Sequence, residues 1–246
     1  MKFDKDAPGD KKLVPQYDEQ VASLTAAQIT TWSLETFGIN RVALASSFGV
    51  EDQVLTDMIC TADRAARIFT LDTGRHFEET YETWQRSVDK WHIRYEVCAP
   101  DPQEVAALVA DSGPNLFYNS VEARKNCCAV RKTRPLDKVL STVDAWIVGL
   151  RSEQAVTRTG LQPIEWDEVH GIYRISPLYN WTEAQVWEYI RVNTIPYNKL
   201  QDKGFRSIGC APCTRAIGKD DDVRAGRWWW EEPQHKECGL HNRKCL

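Results

Sequence analysis

Five cysteines and their spacing define the chemistry open to this chain. Cys127 and Cys128 are adjacent, Cys210 and Cys213 bracket Ala-Pro, and Cys238 stands alone in Lys-Glu-Cys-Gly-Leu-His near the C-terminus. Four thiolates in two tight pairs suit either zinc or an iron–sulfur cluster. Zinc takes all four sulfurs onto one atom, usually from pairs separated by about two to four residues, and adjacent cysteines meet that geometry poorly because their side chains diverge. A cluster offers each thiolate its own iron, so Cys127–Cys128 favours the cluster. Cys60 and Cys98, in apolar surroundings, read as core residues packing as small hydrophobes. Cys238 is flanked by His235, Lys236, His241, Arg243 and Lys244, a positive surplus that favours thiolate and makes it a candidate nucleophile. Cys245 reads as an incidental surface thiol.

Such groups need a frame. Arg41 to Ala45, Arg67 to Leu71, Ile93 to Val97 and Ala145 to Leu150 are short apolar runs bounded by turn residues and separated by helical patterns, which reads as buried parallel strands. Ile172 to Leu178 is a further strand candidate. Thr25 with Gln28 and Thr182 with Gln185 form capping boxes. The first opens a helix that stops at Gly38, and the second opens one that runs to Pro196. Other helices follow Gly49, run from Gly74 through Trp91, start at Asp101-Pro102, and carry Cys127 onward to Leu140 past Pro135. The expected fold class is α/β: a doubly wound, mostly parallel sheet. Its expected parts are an N-terminal arm over 1–17 with no fold of its own, an α/β domain over 18–217 and a mobile catalytic tail over 218–246.

Three loops fall at strand ends, where open α/β sheets bind ligands. Ser46-Ser47-Phe48-Gly49 opens a helix and offers free N–H groups to an anion, although it lacks the lysine and glycine spacing of a Walker loop. Leu71-Asp72-Thr73-Gly74-Arg75 follows the second strand. Gly149-Leu150-Arg151 through Arg158 follows the fourth and brings two arginines, while Arg131, Lys132 and Arg134 follow the cysteine pair. Arginine forks bind phosphate or sulfate oxygens in pairs. Trp228-Trp229-Trp230 reads as a packing anchor that would bring Arg224 and Arg227 toward the same edge.

Composition narrows the class. With 246 residues, 42% of them hydrophobic, the chain can bury a full core. A net charge of −4 disfavours a polyanion or nucleic-acid binder. No apolar run approaches the ~20 residues of a membrane span and the N-terminus lacks a signal-peptide core, so the expectation is a soluble, cytoplasmic protein. In a reducing compartment, closely paired cysteines point to metal or catalysis rather than disulfides.

Several long motifs in order carry a resemblance along nearly the whole length. They are Ser46 to Asp52, Leu71-Asp-Thr-Gly74, Cys127-Cys-Ala-Val-Arg-Lys132, Gly149-Leu-Arg151, Pro196-Tyr-Asn198, Gly209-Cys-Ala-Pro-Cys-Thr-Arg215, Gly226-Arg-Trp-Trp-Trp-Glu-Glu232 and Lys236-Glu-Cys-Gly-Leu-His241. The chain resembles the assimilatory adenylylsulfate (APS) reductases, the iron–sulfur-bearing branch of the phosphoadenylylsulfate (PAPS) reductase group. That resemblance implies an adenine nucleotide α-hydrolase-like fold and a 4Fe-4S cluster on Cys127, Cys128, Cys210 and Cys213. It implies Cys238 as nucleophile and thioredoxin as reductant, in sulfate assimilation and cysteine biosynthesis. Substrate contacts carried over by motif are Ser46, Ser47, Phe48, Gly49, Leu71, Asp72, Thr73, Gly149, Arg151 and Arg158 for the nucleotide. Lys132, Arg224 and Arg227 face the phosphosulfate, with His241 in the tail motif. Reduction of PAPS, or of both substrates, is the alternative, and homo-oligomerisation is left open. An ATP-pyrophosphatase-type adenylating enzyme would need a Ser-Gly-Gly loop and no Cys238. A zinc-bound nucleotide sensor would show no turnover.

Overall fold

The computed structural model describes residues 9–154, 160–218 and 220–232. Its strands are β1 Val42–Ala45, β2 Arg67–Leu71, β3 Glu96–Cys98, β4 Ala145–Ile147, β5 Ile164–Asp167 and β6 Ile172–Ile175, in the sheet order β3-β2-β1-β4-β6-β5. β1 runs parallel to β2 and β4, and β4 parallel to β6, whereas β5 closes the edge antiparallel to β6. The eight helices among the described residues are α1 Val14–Val21, α2 Ala26–Phe37, α3 Val50–Ala62, α4 Glu78–Trp91, α5 Pro102–Ser112, α6 Val121–Cys128, α7 Arg134–Leu140 and α8 Glu183–Val192. The mostly parallel α/β architecture is the one expected. β5 was not: Ile164 to Asp167 alternate apolar and polar as a strand does, but four residues after Pro163 are too short a run to stand out, and the pairing with β6 fixes them as a strand. β3 starts three residues later than the Ile93–Val97 run. His92, at φ 54°, turns the chain out of α4, and Ile93 and Tyr95 are buried in the connection rather than in the strand.

By packing, the chain divides into two compact units. The first comprises Met1–Phe69, Gln85–Glu96 and Leu140–Tyr197, the second Thr70–Trp84, Val97–Val139 and Asn198–Leu246. In the first unit, Val42, Ala43 and Leu44 are all buried, as a central parallel strand flanked by helices requires. Both expected capping boxes are present, and α2 ends at Gly38 with φ 82°. α8 stops at Val192, before Pro196, where Thr194 takes φ 51°. The arm expected to carry no fold contains α1 instead. Tyr17 is buried there, edge-on to Trp32, Phe37 and Tyr173, so an aromatic cluster supplies the stability that the helix's polar composition withholds.

In the second unit, Asp101 caps α5 by accepting from the Gln103 and Glu104 N–H groups, with Pro102 at the first helical position. Ser120 caps α6 through the Ala123 N–H. Between α6 and α7, Ala129–Thr133 forms a π-helical turn. Pro135 lacks an N–H and its ring crowds the carbonyl four residues back. The wider turn absorbs that defect, so the helix is bulged rather than broken. The separate tail expected from Gly218 is corrected up to Glu231. Arg227 pairs with Thr214 in an antiparallel bridge, and Trp228, 1% exposed, is buried among Leu108, Leu116, Phe117 and Val130. Truncating a tryptophan so placed costs about 3–5 kcal/mol.

Candidate functional site

The first unit holds the loop that follows β1. The sheet order reverses between β1 and β4, the switch point where open α/β sheets take ligands, and the loops after both strands belong to this unit. Ser46 is tied to the sheet through its N–H to the Phe69 carbonyl (2.9 Å). Phe48 then takes φ 60°, a left-handed conformation uncommon for an aromatic residue, held by burial of its ring against Tyr95. Gly49 begins α3 without a side-chain cap.

Free N–H groups were expected here to meet a ligand anion, but the anion they meet is the chain's own. Asp52, buried in the first turn of α3, accepts from both the N–H and the hydroxyl of Ser47 at 2.7 Å, and the Gly49 N–H adds to them. The Ser47 hydroxyl hydrogen is thereby committed, leaving its lone pairs to accept from a donor. Gly149, just beyond β4, lies so close that a Cβ there would sit 2.4 Å from Asp52 Oδ1 and 2.9 Å from Glu51 Cβ. Gly149→Ala is therefore expected to push Asp52 and the loop apart and cost about 1–3 kcal/mol by overpacking, read as a lower thermal midpoint. Arg151 sits beside them, its Nε donating to Glu51 (2.9 Å) and a terminal nitrogen to Glu153 (3.1 Å).

Burial pushes the Asp52 carboxyl up to about 6 from 3.8, outweighing the Ser47 hydrogen bonds that lower it. The folded chain then holds this proton more tightly than the unfolded chain. The stabilising contribution is full below pH 4 and is lost as pH rises through 6, a swing of about 3 kcal/mol. Asp52→Asn removes it. The thermal midpoint of the unmodified protein, relative to the variant, is expected to fall between pH 4 and pH 6; a constant difference over that range would contradict the assignment.

The second unit holds the cysteines. Cys127, Cys128, Cys210 and Cys213 are all buried, none is in a disulfide, and all four line one cavity with Arg75, Phe117, Arg124, Arg131, Lys132, Pro212 and Trp228. α6 delivers the first pair at its last turn and a 3-10 turn, Ala211–Cys213, delivers the second. That turn is anchored to the loop after β2: the Ala211 N–H donates to the Arg75 carbonyl (2.8 Å), and the Thr73 hydroxyl lies 3.3 Å from Cys210 Sγ. Asp72 orders the same loop by accepting from the Gly74 N–H and the Tyr81 hydroxyl, both at 2.9 Å, while Leu71 presents its carbonyl to His76 Nε2. Arg131 reaches back to the Thr73 carbonyl at 2.7 Å.

Charge in this cavity is uneven. Burial alone would raise the Cys210 thiol, but Lys132, the Thr73 hydroxyl and Arg227 outweigh it and hold Cys210 below the usual thiol range. Burial, with Cys210 beside it, pushes Cys213 up to about 12, and burial raises Cys127 against the pull of Arg131. Four buried thiols with basic side chains around them form a donor set suited to thiolate coordination of iron or zinc. Among the described residues no group of three or more His, Cys, Asp or Glu side chains is arranged to hold a single metal ion.

Arg227 is buried over the Trp228 ring at 4.8 Å, and Gly209 gives it room, since a Cβ there would meet its guanidinium at 2.4 Å. Arg224 lies near it in the chain and is partly buried, whereas Arg134 turns to the surface and pairs with Glu104. Arg158, Cys238, His241 and Cys245 lie outside the described residues. Sequence reasoning did not single out Asp52 as the loop's anion, nor the pairing of Arg124 with Glu231. The first was signalled by an acid at the third position of a helix that lacks a side-chain cap, and the second had no local signal.

The fold and the thiol-lined cavity define a class before any relative does: a nucleotide-type α/β sheet with a thiolate donor set. Among solved structures, the chain superposes on the phosphoadenylyl-sulfate (PAPS) reductase of Candida auris in its phosphate complex. The TM-score is 0.73 at 25% identity, covering 86% of this chain and 99% of that one. It shares a fold more distantly with the FMN adenylyltransferase of Candida glabrata (TM-score 0.52, 14% identity, 88% and 72% covered). The architecture is thus adenine nucleotide α-hydrolase-like. Residues 41–216 match the phosphoadenosine phosphosulfate reductase domain. Curated relatives include the adenosine 5'-phosphosulfate reductases of Allochromatium vinosum (48% identical over 89% of this chain and 86% of that one) and Burkholderia cepacia (46%, over 82% and 81%). The chain belongs to the phosphoadenosine phosphosulfate reductase family and is an oxidoreductase. Among the described residues no helix is long and apolar enough to cross a membrane.

Proposed function

We propose that the protein reduces adenosine 5'-phosphosulfate to sulfite and AMP in assimilatory sulfate reduction, drawing electrons from thioredoxin, in the cytoplasm. The observation that carries this reading is the convergence of four buried, unbridged cysteines with Lys132 and Arg131 in one cavity, in a chain whose relatives bear the reductase name. Cys127, Cys128, Cys210 and Cys213 would hold a 4Fe-4S cluster, favoured over zinc by the adjacent pair. When bound, such a group supplies a fixed charge that orders the basic side chains around it, without changing oxidation state.

The chain's own residues do the rest. Lys132, Arg224 and Arg227 hold the phosphosulfate, with His241 from the terminal segment, while the Ser46–Gly49 loop, Leu71 to Thr73, Gly149, Arg151 and Arg158 hold the nucleoside. Segment 218–246 carries the nucleophile. The Cys238 thiolate attacks the sulfur of the substrate, the sulfur–oxygen bond to the phosphate breaks, and AMP leaves with the electron pair. The product is an S-sulfocysteine on Cys238. One thioredoxin thiolate then attacks Cys238 Sγ and sulfite leaves. The second thiol resolves the mixed disulfide and regenerates the Cys238 thiolate, so two electrons come from the thioredoxin dithiol.

The test is anaerobic purification followed by parallel sulfite assays with adenylyl sulfate and its 3'-phosphorylated form, each with reduced thioredoxin. Turnover with the unphosphorylated substrate supports the reading. Turnover only with the 3'-phosphorylated form would assign the other branch of the family, and pyrophosphate release from ATP alone would replace the reductase with an adenylating enzyme.

A further inference from the structure

We propose that Arg124 is a positioning residue for Cys128, held in register by Glu231, so that the buried pair governs how firmly the thiolate set keeps its metal. This rests on the cluster reading above. Arg124 lies four residues before Cys128 on α6, the spacing that puts two side chains on one helix face. Its side chain is 0% exposed and that of Glu231 is 3% exposed. The two meet as a fork: Nε to Oε1 at 2.9 Å and a terminal nitrogen to Oε2 at 2.6 Å. The guanidinium also stacks 4.7 Å over Trp228, and both residues line the cysteine cavity.

A guanidinium has five N–H donors in a fixed plane, and Glu231 takes two of them. The plane so fixed leaves the other donors for the cavity that Arg124 and Cys128 both line, where the sulfur one helical turn on favours the charged guanidinium. A purely structural role is the rival explanation. Buried ion pairs are weak contributors to stability, and apolar residues of similar volume replace them with little loss. A donor aimed at a ligating sulfur does something an apolar side chain does not: it fixes the ligand's orientation and disperses its charge. Glu231 also ties this function to the Trp228–Glu231 stretch, seven residues before Cys238 in the sequence.

The unmodified chain, Arg124→Met/Glu231→Met and Arg124→Lys are reconstituted anaerobically with iron and sulfide. The metal-free double variant is expected to keep the unmodified thermal midpoint. Loaded, it is expected to release iron to a chelator about 10- to 100-fold faster, the usual loss when an outer-shell partner is removed. Its iron–sulfur stretching bands in resonance Raman should shift. Arg124→Lys, which keeps the charge without the fork, should fall between. A double variant with unmodified release rate and bands overturns the proposal, whether or not its midpoint drops. Should the unmodified chain take up no iron at all, the cluster reading fails first and this inference with it.

Discussion

Cys238→Ser is expected to abolish sulfite formation, by about 10⁴-fold or more, and to leave no sulfonate on the protein. Removing the nucleophile from a covalent mechanism removes the intermediate itself, and losses on that scale are what such a removal produces. A serine hydroxyl keeps the size but not the chemistry: it is a poor nucleophile, and a sulfate ester would put oxygen where thioredoxin must find a divalent sulfur to form the mixed disulfide. The residue lies outside the described part of the structure, so the expectation rests on its sequence, where His235, Lys236, His241, Arg243 and Lys244 surround it with positive charge. Mass spectrometry after incubation with adenylyl sulfate, without reductant, decides the matter. The unmodified chain should gain one sulfonate at Cys238 and the variant none. A variant that still accumulated protein-bound sulfonate would move the nucleophile elsewhere.

How much of this was legible in the sequence depended on whether the signal was local. Capping boxes at Thr25 and Thr182 read correctly because their donors and acceptors lie within one turn. β1 and β2 read correctly because a central parallel strand is apolar on both faces. Tyr17 was misread as part of an unstructured arm because its ring partners, Trp32, Phe37 and Tyr173, come from distant positions and a polar octet gives no hint of them. The four cysteines were legible by spacing, but their neighbours were not. That Thr73 lies against Cys210, and that Arg124 meets Glu231 across 107 positions, are products of the fold. The Ser46–Gly49 loop was half read: its place before a helix was right, while the anion that its N–H groups meet, Asp52, was not singled out. Trp228 was read as an anchor, and its burial beside the cysteines bears that out, although the boundary drawn at Gly218 set it outside the fold it completes.

Cys210→Ser is expected to lose both bound iron and turnover, the latter by at least about 10²-fold, the scale on which displacement of a single electrostatic group acts. Cys210 is the thiol most tightly embedded in the site: Thr73 Oγ1 lies 3.3 Å from its sulfur, its carbonyl accepts from the Thr214 hydroxyl at 3.0 Å, and Lys132 and Arg227 act on it together. Serine is close to isosteric and keeps the backbone bonds of the Ala211–Cys213 turn, so folding should survive and the loss should be chemical. The coupling is electrostatic. Lys132 and Arg131, both buried beside these thiolates, need compensating negative charge to stay ordered, and removing one thiolate weakens the arrangement that would present them to a phosphosulfate. Iron content, visible absorption and sulfite production, measured on the same anaerobic preparation, separate the outcomes. Iron lost with full sulfite production would show that the thiolate set and the reaction are independent, and iron retained in full would show that Cys210 is not a ligand.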